Sequence, residues 1–278
     1  MNNLILENGY NTDYIYSLII ALFYTPSDST NKLINSDTNN GNTYYVQEYI
    51  KSKFIYPIHR NMSIESSIVN KFRNFIYNCG WNKDNDKIII DKGEIDKFYT
   101  FIVSNLMEYM IQIVNVDLDN NTLTNNKYDM IRIEESHLNN TDNIKIMSLT
   151  TIVSNWIKDK ITDKNYSYKF ENIPFIIPIY LDIRDSETGL NKKYINIMEG
   201  ISFEDNGDRI QKMFVWEIHS MICQTESGDY YAVTIDNNES FMGFSDKKIP
   251  SNWKIDMSDL VSAKKIMSEV RFIFYRLF

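Results

Sequence analysis

The feature that most limits what this chain can fold into is a change of hydrophobic period part-way along it. Apolar residues recur at three- and four-residue spacing over Tyr14 to Tyr24, Tyr45 to Ile55, Ile64 to Tyr77 and Ile95 to Ile113, which predicts a helical amino-terminal half. One more helical piece is expected at Leu149 to Ile161. From Ile173 onward the pattern becomes short β-branched and aromatic runs: Phe175 to Ile183, Tyr194 to Ile197, Phe214 to Cys223, Tyr230 to Ile235, Ser240 to Phe244 and Arg271 to Leu277. The Asn- and Asp-rich stretch from Asp117 to Asp142 reads as loops around one short strand, Met130 to Ile133. Helices first and antiparallel strands later is the pattern of an α+β fold. No repeat and no Pro-, Gly- or Ser-rich linker divides the chain, so a single domain over residues 1–278 is expected.

Composition narrows the function classes. With 43% hydrophobic residues the chain can bury a substantial core, and its net charge of -8 without long basic blocks argues against nucleic acid as a partner. The longest apolar run, Tyr14 to Tyr24, is about half the ~20 residues that span a bilayer, and the amino terminus lacks the basic start of a signal peptide. No membrane partner is expected, and the location is expected to be intracellular and not secreted. The cysteines are Cys79 and Cys223, with no CxxC pair, so neither a zinc ribbon nor a disulfide framework is expected, and no metal or cofactor. Heavy use of Asn, Ile, Lys and Tyr is what an AT-rich coding sequence gives; for a virus with such a genome the setting would be the virion or host cytoplasm.

The segment Asn8-Gly9-Tyr10-Asn11-Thr12-Asp13-Tyr14-Ile15-Tyr16-Ser17 is the most informative in the first half. Asp13 stands directly before the apolar run, which predicts an N-cap whose carboxylate meets the helix's free N–H groups. Near the other end lie Ser227-Gly228-Asp229-Tyr230-Tyr231-Ala232-Val233, then Phe241-Met242-Gly243-Phe244-Ser245-Asp246-Lys247-Lys248-Ile249, then Arg271-Phe272-Ile273-Phe274-Tyr275-Arg276. The first segment resembles the cysteine box of the ubiquitin-specific proteases, N-x-G-N-T-C-Y-x-N-S-x-x-Q-x-L, with Asn11, Thr12, Tyr14, Ser17 and Leu22 matching. The later ones resemble that family's S-G-H-Y-x-A-Y, W-x-x-F-[DN]-D-x-x-V and A-Y-x-L-F-Y-x-R boxes in order and spacing. Gly93-Glu94-Ile95-Asp96-Lys97-Phe98 is similar to the Q-x-D-A-x-E-F box, and Asn172 to Leu181 to the L-P-x-x-L-x-I-x-L strand.

The resemblance implies a papain-like fold with a helical thumb (1–115) and an antiparallel palm with reduced fingers (116–278). It also implies a lost active site. Asp13 stands in the nucleophile position, Asp229 in that of the general-base His, and Ser245 in that of the orienting acid, while Asn8 keeps the oxyanion position and Asp246 the second carboxylate. A carboxylate is a poor nucleophile toward an amide carbonyl, and its charge opposes the oxyanion such a site must stabilise. Glu94 would keep a carboxylate where the family holds the ubiquitin tail; with Gly228, Tyr230 and Asp246 it forms the expected vestigial binding cleft. If Asp13 and Asp229 share that cleft, one of the two should hold its proton more tightly than usual unless a cation or water separates them.

The expected function is therefore that of a pseudoenzyme, a deubiquitinase-like domain acting as a binding or scaffold subunit for a protein of unknown identity, with weak ubiquitin binding at most. A ubiquitin receptor and a hydrolase with a noncanonical site are the alternatives. His219 and Cys223 share a face of one predicted strand and are expected to be structural, and His59 and His137 lie outside every matched box.

Overall fold

The computed structural model describes residues 4–35, 41–81, 93–106, 111–116, 122–138, 146–160, 167–170, 172–205, 212–236, 240–248 and 251–278. In chain order the elements are α1 (Asp13–Phe23), α2 (Asp28–Ile34) and α3 (Gly41–Ile50), the last continuing through a π-helical turn (Lys51–Ile55) into α4 (Tyr56–His59). Then come α5 (Ser66–Asn78), α6 (Ile95–Leu106), β1 (Ile111–Val116), β2 (Thr122–Tyr128), β3 (Ile131–Glu134), a 3-10 turn (Glu135–His137), β4 (Ile146–Ser148), α7 (Leu149–Lys160), β5 (Ser167–Phe170) and β6 (Ile176–Asp182). The remainder is β7 (Tyr194–Asn196), β8 (Ile201–Asp205), β9 (Lys212–Gln224), β10 (Tyr230–Ile235), β11 (Phe241–Phe244), β12 (Asn252–Ile255), α8 (Leu260–Glu269) and β13 (Val270–Leu277). They group into two compact units, one of Met1–Glu108 with Ser220–Ala263, the other of Tyr109–His219 with Lys264–Phe278.

The first unit is organised on α1. Every residue of this helix is buried, including Asp13 and Ser17, because its sequence is apolar nearly all round. It packs on β10. Ser220 of β9 donates to the Ala21 carbonyl at 2.6 Å, and the Thr25 hydroxyl donates to Ile235 O at 3.0 Å just past the helix end. Antiparallel pairing sets Val233 opposite Met221 and Gly243, and Gly243 opposite Trp253, so β10 lies between the Ser220–Gln224 end of β9 and β11. On the helical side Tyr14 meets Phe98 edge-on, with ring centroids 4.9 Å apart. His59 Nε2–H donates to the Phe23 carbonyl, 2.8 Å, at the last turn of α1.

In the second unit β13 runs antiparallel to β6, and β3 runs parallel to β6 on its other side. β8 pairs antiparallel with the start of β9, β1 pairs with β2 and β5, and β4 lies parallel to β7. Two parallel pairings thus join the expected antiparallel set. Arg271 of β13, 1% exposed, donates to Asn191 Oδ1 at 2.6 Å and to Gly189 O at 2.8 Å.

Two expectations are corrected. The helix expected over Ile95 to Ile113 ends at Leu106, and Ile111 already belongs to β1, because a short β-branched run such as Ile111–Val116 fits either period until a partner strand is supplied. Its partner β2 lies in the stretch read as loop; its sequence, TLTNNKY, carries almost no hydrophobic alternation. Residues 117–121 and 139–145 of that Asn-rich stretch lie outside the described residues.

Candidate functional site

All the residues matched to the protease triad lie in the first unit. The turn before α1 is held from two sides: Asn11 has φ 50°, a left-handed conformation that Asn adopts more readily than most residues, and the buried Arg73 of α5 donates through Nη1 to the Tyr10 carbonyl. Arg73 sits among Val69, Phe72 and Ile76, the buried face of α5. A cation on an apolar stripe was a readable sign of a buried polar partner.

Asp13 does not act as the N-cap. It is the first residue of α1, the N-cap position falls on Thr12, and Thr12 makes no side-chain cap bond. Asp13 turns its carboxylate toward the sheet and accepts the Tyr230 N–H at 2.7 Å. That amide stands at the start of β10, and the charge-assisted bond ties helix to strand. Asp229 precedes that amide. Its own carboxylate accepts from Ser227 Oγ at 3.0 Å, and its backbone closes the β9–β10 turn with Thr225, where Gly228 has φ 84°. Ser245, 7% exposed, uses its hydroxyl to accept the Lys247 N–H at 3.1 Å, while its N–H meets Ser251 O at 2.8 Å. These bonds tie a helix to a strand and close two turns.

Asn8 is exposed and accepts from Lys247 Nζ at 2.8 Å. Lys247 was missed; its place in the carboxy-terminal box, one residue beyond Asp246, was the available sign. Asp246 is 5% exposed and accepts no hydrogen bond from another residue among those described. Burial, reinforced by the charges of Asp13 and Asp229 and opposed by Lys247, pushes its carboxyl up to about 6. The expectation of a raised carboxyl concerns Asp13 and Asp229; Asp246 is a third carboxyl, felt by both. Burial also raises the phenol of Tyr14, to about 12.

The Gly93–Glu94 segment lies against α1, since a methyl group at Gly93 would come within 2.6 Å of the Tyr14 ring. Glu94 itself is exposed and pairs with Lys97 at 2.9 Å. Lys92, its neighbour in the matched box, lies outside the described residues. Tyr230 is buried at 7%. The fold therefore brings Asn8, Asp13, Glu94, Gly228, Asp229, Tyr230, Ser245 and Asp246 onto one unit, linked through α1, the β9–β10 turn and the turn after β11.

Cys223 and His219 are buried on β9. Cys79 is half-buried at the C-cap of α5. His137 has both ring nitrogens engaged: Nδ1 accepts the Glu134 N–H at 2.9 Å, and Nε2 faces Asp159 at 3.2 Å. Among the described residues no three His, Cys, Asp or Glu side chains are placed to hold a metal ion. Among the described residues no helix is long and apolar enough to cross a membrane.

No protein-family model matches the chain, and the search of curated proteins finds no match. Solved structures do match. The SAGA Ubp8/Sgf11/Sus1/Sgf73 DUB module is similar with a TM-score of 0.59 and 11% identity, covering 100% of this chain and 68% of the matched one. The same module bound to monoubiquitin gives 0.53 at 9% identity, covering 99% and 69%. The Saccharomyces cerevisiae Pan2 pseudoubiquitin hydrolase-RNA exonuclease module gives 0.60 at 12% identity, covering 99% of this chain and 55% of that one. The architecture is the papain-like α+β fold of ubiquitin-specific-protease and UCH-type deubiquitinase modules.

Proposed function

We propose that this chain is a deubiquitinase-fold pseudoenzyme that acts by binding another protein, with peptidase chemistry lost. The observation that carries the reading is the engagement of Asp13: the side chain at the head of α1 is a buried carboxylate fixed to the Tyr230 N–H. Attack on an amide carbonyl needs an activated thiol or hydroxyl at that place and a base to take its proton. The side chain in the base position, Asp229, is instead bonded to Ser227 in the hairpin turn, and Lys247 occupies the acceptor of Asn8. One structural neighbour is itself described as a pseudoubiquitin hydrolase, so this fold does occur under such a description.

The test is enzymatic. Purified protein should neither cleave ubiquitin chains nor be labelled by a ubiquitin probe carrying a thiol-reactive end. Asp13→Cys alone should restore nothing, because a thiol without its base keeps a pKa near ~8.5 apart from the help of the helix dipole. Labelling that disappears on changing Cys79 or Cys223 would overturn the reading.

A further inference from the structure

The helical rod from α3 to α4 carries a surface that the cleft does not use. Its buried residues Val46, Ile50, Phe54 and Ile58 are spaced by four. In an ideal α-helix four residues overshoot one turn by about 40°, so a stripe with this spacing would wind away from the core over its length. The π-helical turn, in which the Tyr56 N–H reaches back to Lys51 O, widens the rod and counters the drift. Pro57, which has no N–H for an α-helical bond, follows directly and accounts for the place of this turn.

Holding one stripe on the core holds the opposite one outward. Tyr44, Glu48, Ser52, Tyr56 and Arg60 have the same four-residue spacing, with Tyr45 beside them. Tyr44, Tyr45 and Tyr56 are 53%, 62% and 49% exposed. The two adjacent rings meet edge-on at 5.7 Å, and Arg60 lies 4.0 Å over the Tyr56 ring. Exposed tyrosines backed by arginine are the side chains that dominate protein interfaces. Residues 44–60 also hold three cations, Lys51, Lys53 and Arg60, against the single carboxylate Glu48, a local +2 in a chain of net -8. Lys51 is paired with Glu48, whereas Lys53 and Arg60 have no carboxylate partner among the described residues.

We infer that this ridge docks an acidic protein segment that also carries apolar side chains. The tyrosines would supply the contact area and the unpaired cations the selection by charge. A charge of +2 is too small to hold a polyphosphate backbone, and the ridge lacks the Leu, Phe and Trp that a membrane-surface helix buries. The inference does not rest on the cleft being inert.

The test is fluorescence anisotropy with a labelled peptide of alternating glutamate and leucine, a counterpart with lysine for glutamate, and vesicles containing phosphatidylserine. The glutamate peptide should bind at least ~10-fold more tightly than the lysine one. The double reversal Lys53→Glu, Arg60→Glu should weaken it by about 10-fold, and Tyr44→Ser with Tyr56→Ser by a similar factor. Melting temperatures should stay unchanged, since these side chains are exposed. Equal binding by wild type and both variants, no preference between the peptides, or binding to the vesicles alone would overturn the proposal.

Discussion

Asp246 is a buried carboxyl whose chemistry departs from that of a free side chain. Its carboxyl is raised from 3.8 to about 6 in the folded protein, so between those values the folded state keeps a proton that the unfolded chain has already released. Stability should therefore fall as pH rises from about 4 to about 6. Above that window the ionised, buried group costs up to about 3 kcal/mol. Asp246→Asn should stabilise the protein by roughly 1–3 kcal/mol at pH 7 and have little effect at pH 3.5, as read by urea unfolding at the two values. A difference independent of pH would show that the carboxyl is not the source. Asp13 behaves differently, because its charge has a donor. Asp13→Ala should cost about 1–3 kcal/mol by leaving the Tyr230 N–H buried without its acceptor, while Asp13→Asn, whose amide oxygen can still accept, should lose less. Equal losses from the two would mean that charge rather than the hydrogen bond matters there.

Among the elements, β13 shows how a strand can be fixed by one polar side chain in an apolar run. Arg271 precedes Phe272, Ile273 and Phe274, all fully buried, and its guanidinium is held by Asn191 and Gly189 O. Asn191 in turn donates to Met267 O and Val270 O, closing the junction between α8 and β13. Arg271→Lys, which cannot make the forked contact, should destabilise the protein by roughly 2–4 kcal/mol in a denaturant titration. A loss below ~1 kcal/mol would place the weight on packing of the aromatic strand instead. Nothing in the periodicity around Arg271 announced this, since its partners come from a loop some eighty residues earlier.

At the scale of the whole molecule, the fold matches a module solved with monoubiquitin bound, and the proposal for this chain is that peptidase chemistry is lost. Asp13 and Asp246 are buried and Asp229 sits beside the Asp13 contact, so a ubiquitin tail brought to the head of α1, as the resemblance implies, would set its carboxylate against like charge. Free ubiquitin should bind with a dissociation constant above ~100 μM, about -5.5 kcal/mol or less favourable. NMR titration with free ubiquitin and with an uncharged-tail derivative measures this, and tight binding of the free form would favour a ubiquitin receptor over a scaffold.

The sequence by itself determined the fold class, and its resemblance to known boxes nominated the residues of the candidate site. The nearly all-apolar α1, the β10 and β11 runs and the aromatic β13 carry strong local periods, and the two end boxes name Asn8, Asp13, Asp229, Ser245 and Asp246 in order. Periodicity reports which side chains must leave water, and these elements bury a continuous face. Strands β2 and β8 and helix α8 were not legible, since pairing and docking decide them and their own patterns are weak. Only the tertiary structure decided what each site residue does. That Asp13 bonds a strand amide 217 residues away, that Asp229 closes a turn, and that Asp246 accepts no hydrogen bond from another described residue are facts of spatial neighbourhood. A sequence fixes which groups are charged, whereas burial and partners, which set their energies, come from the fold.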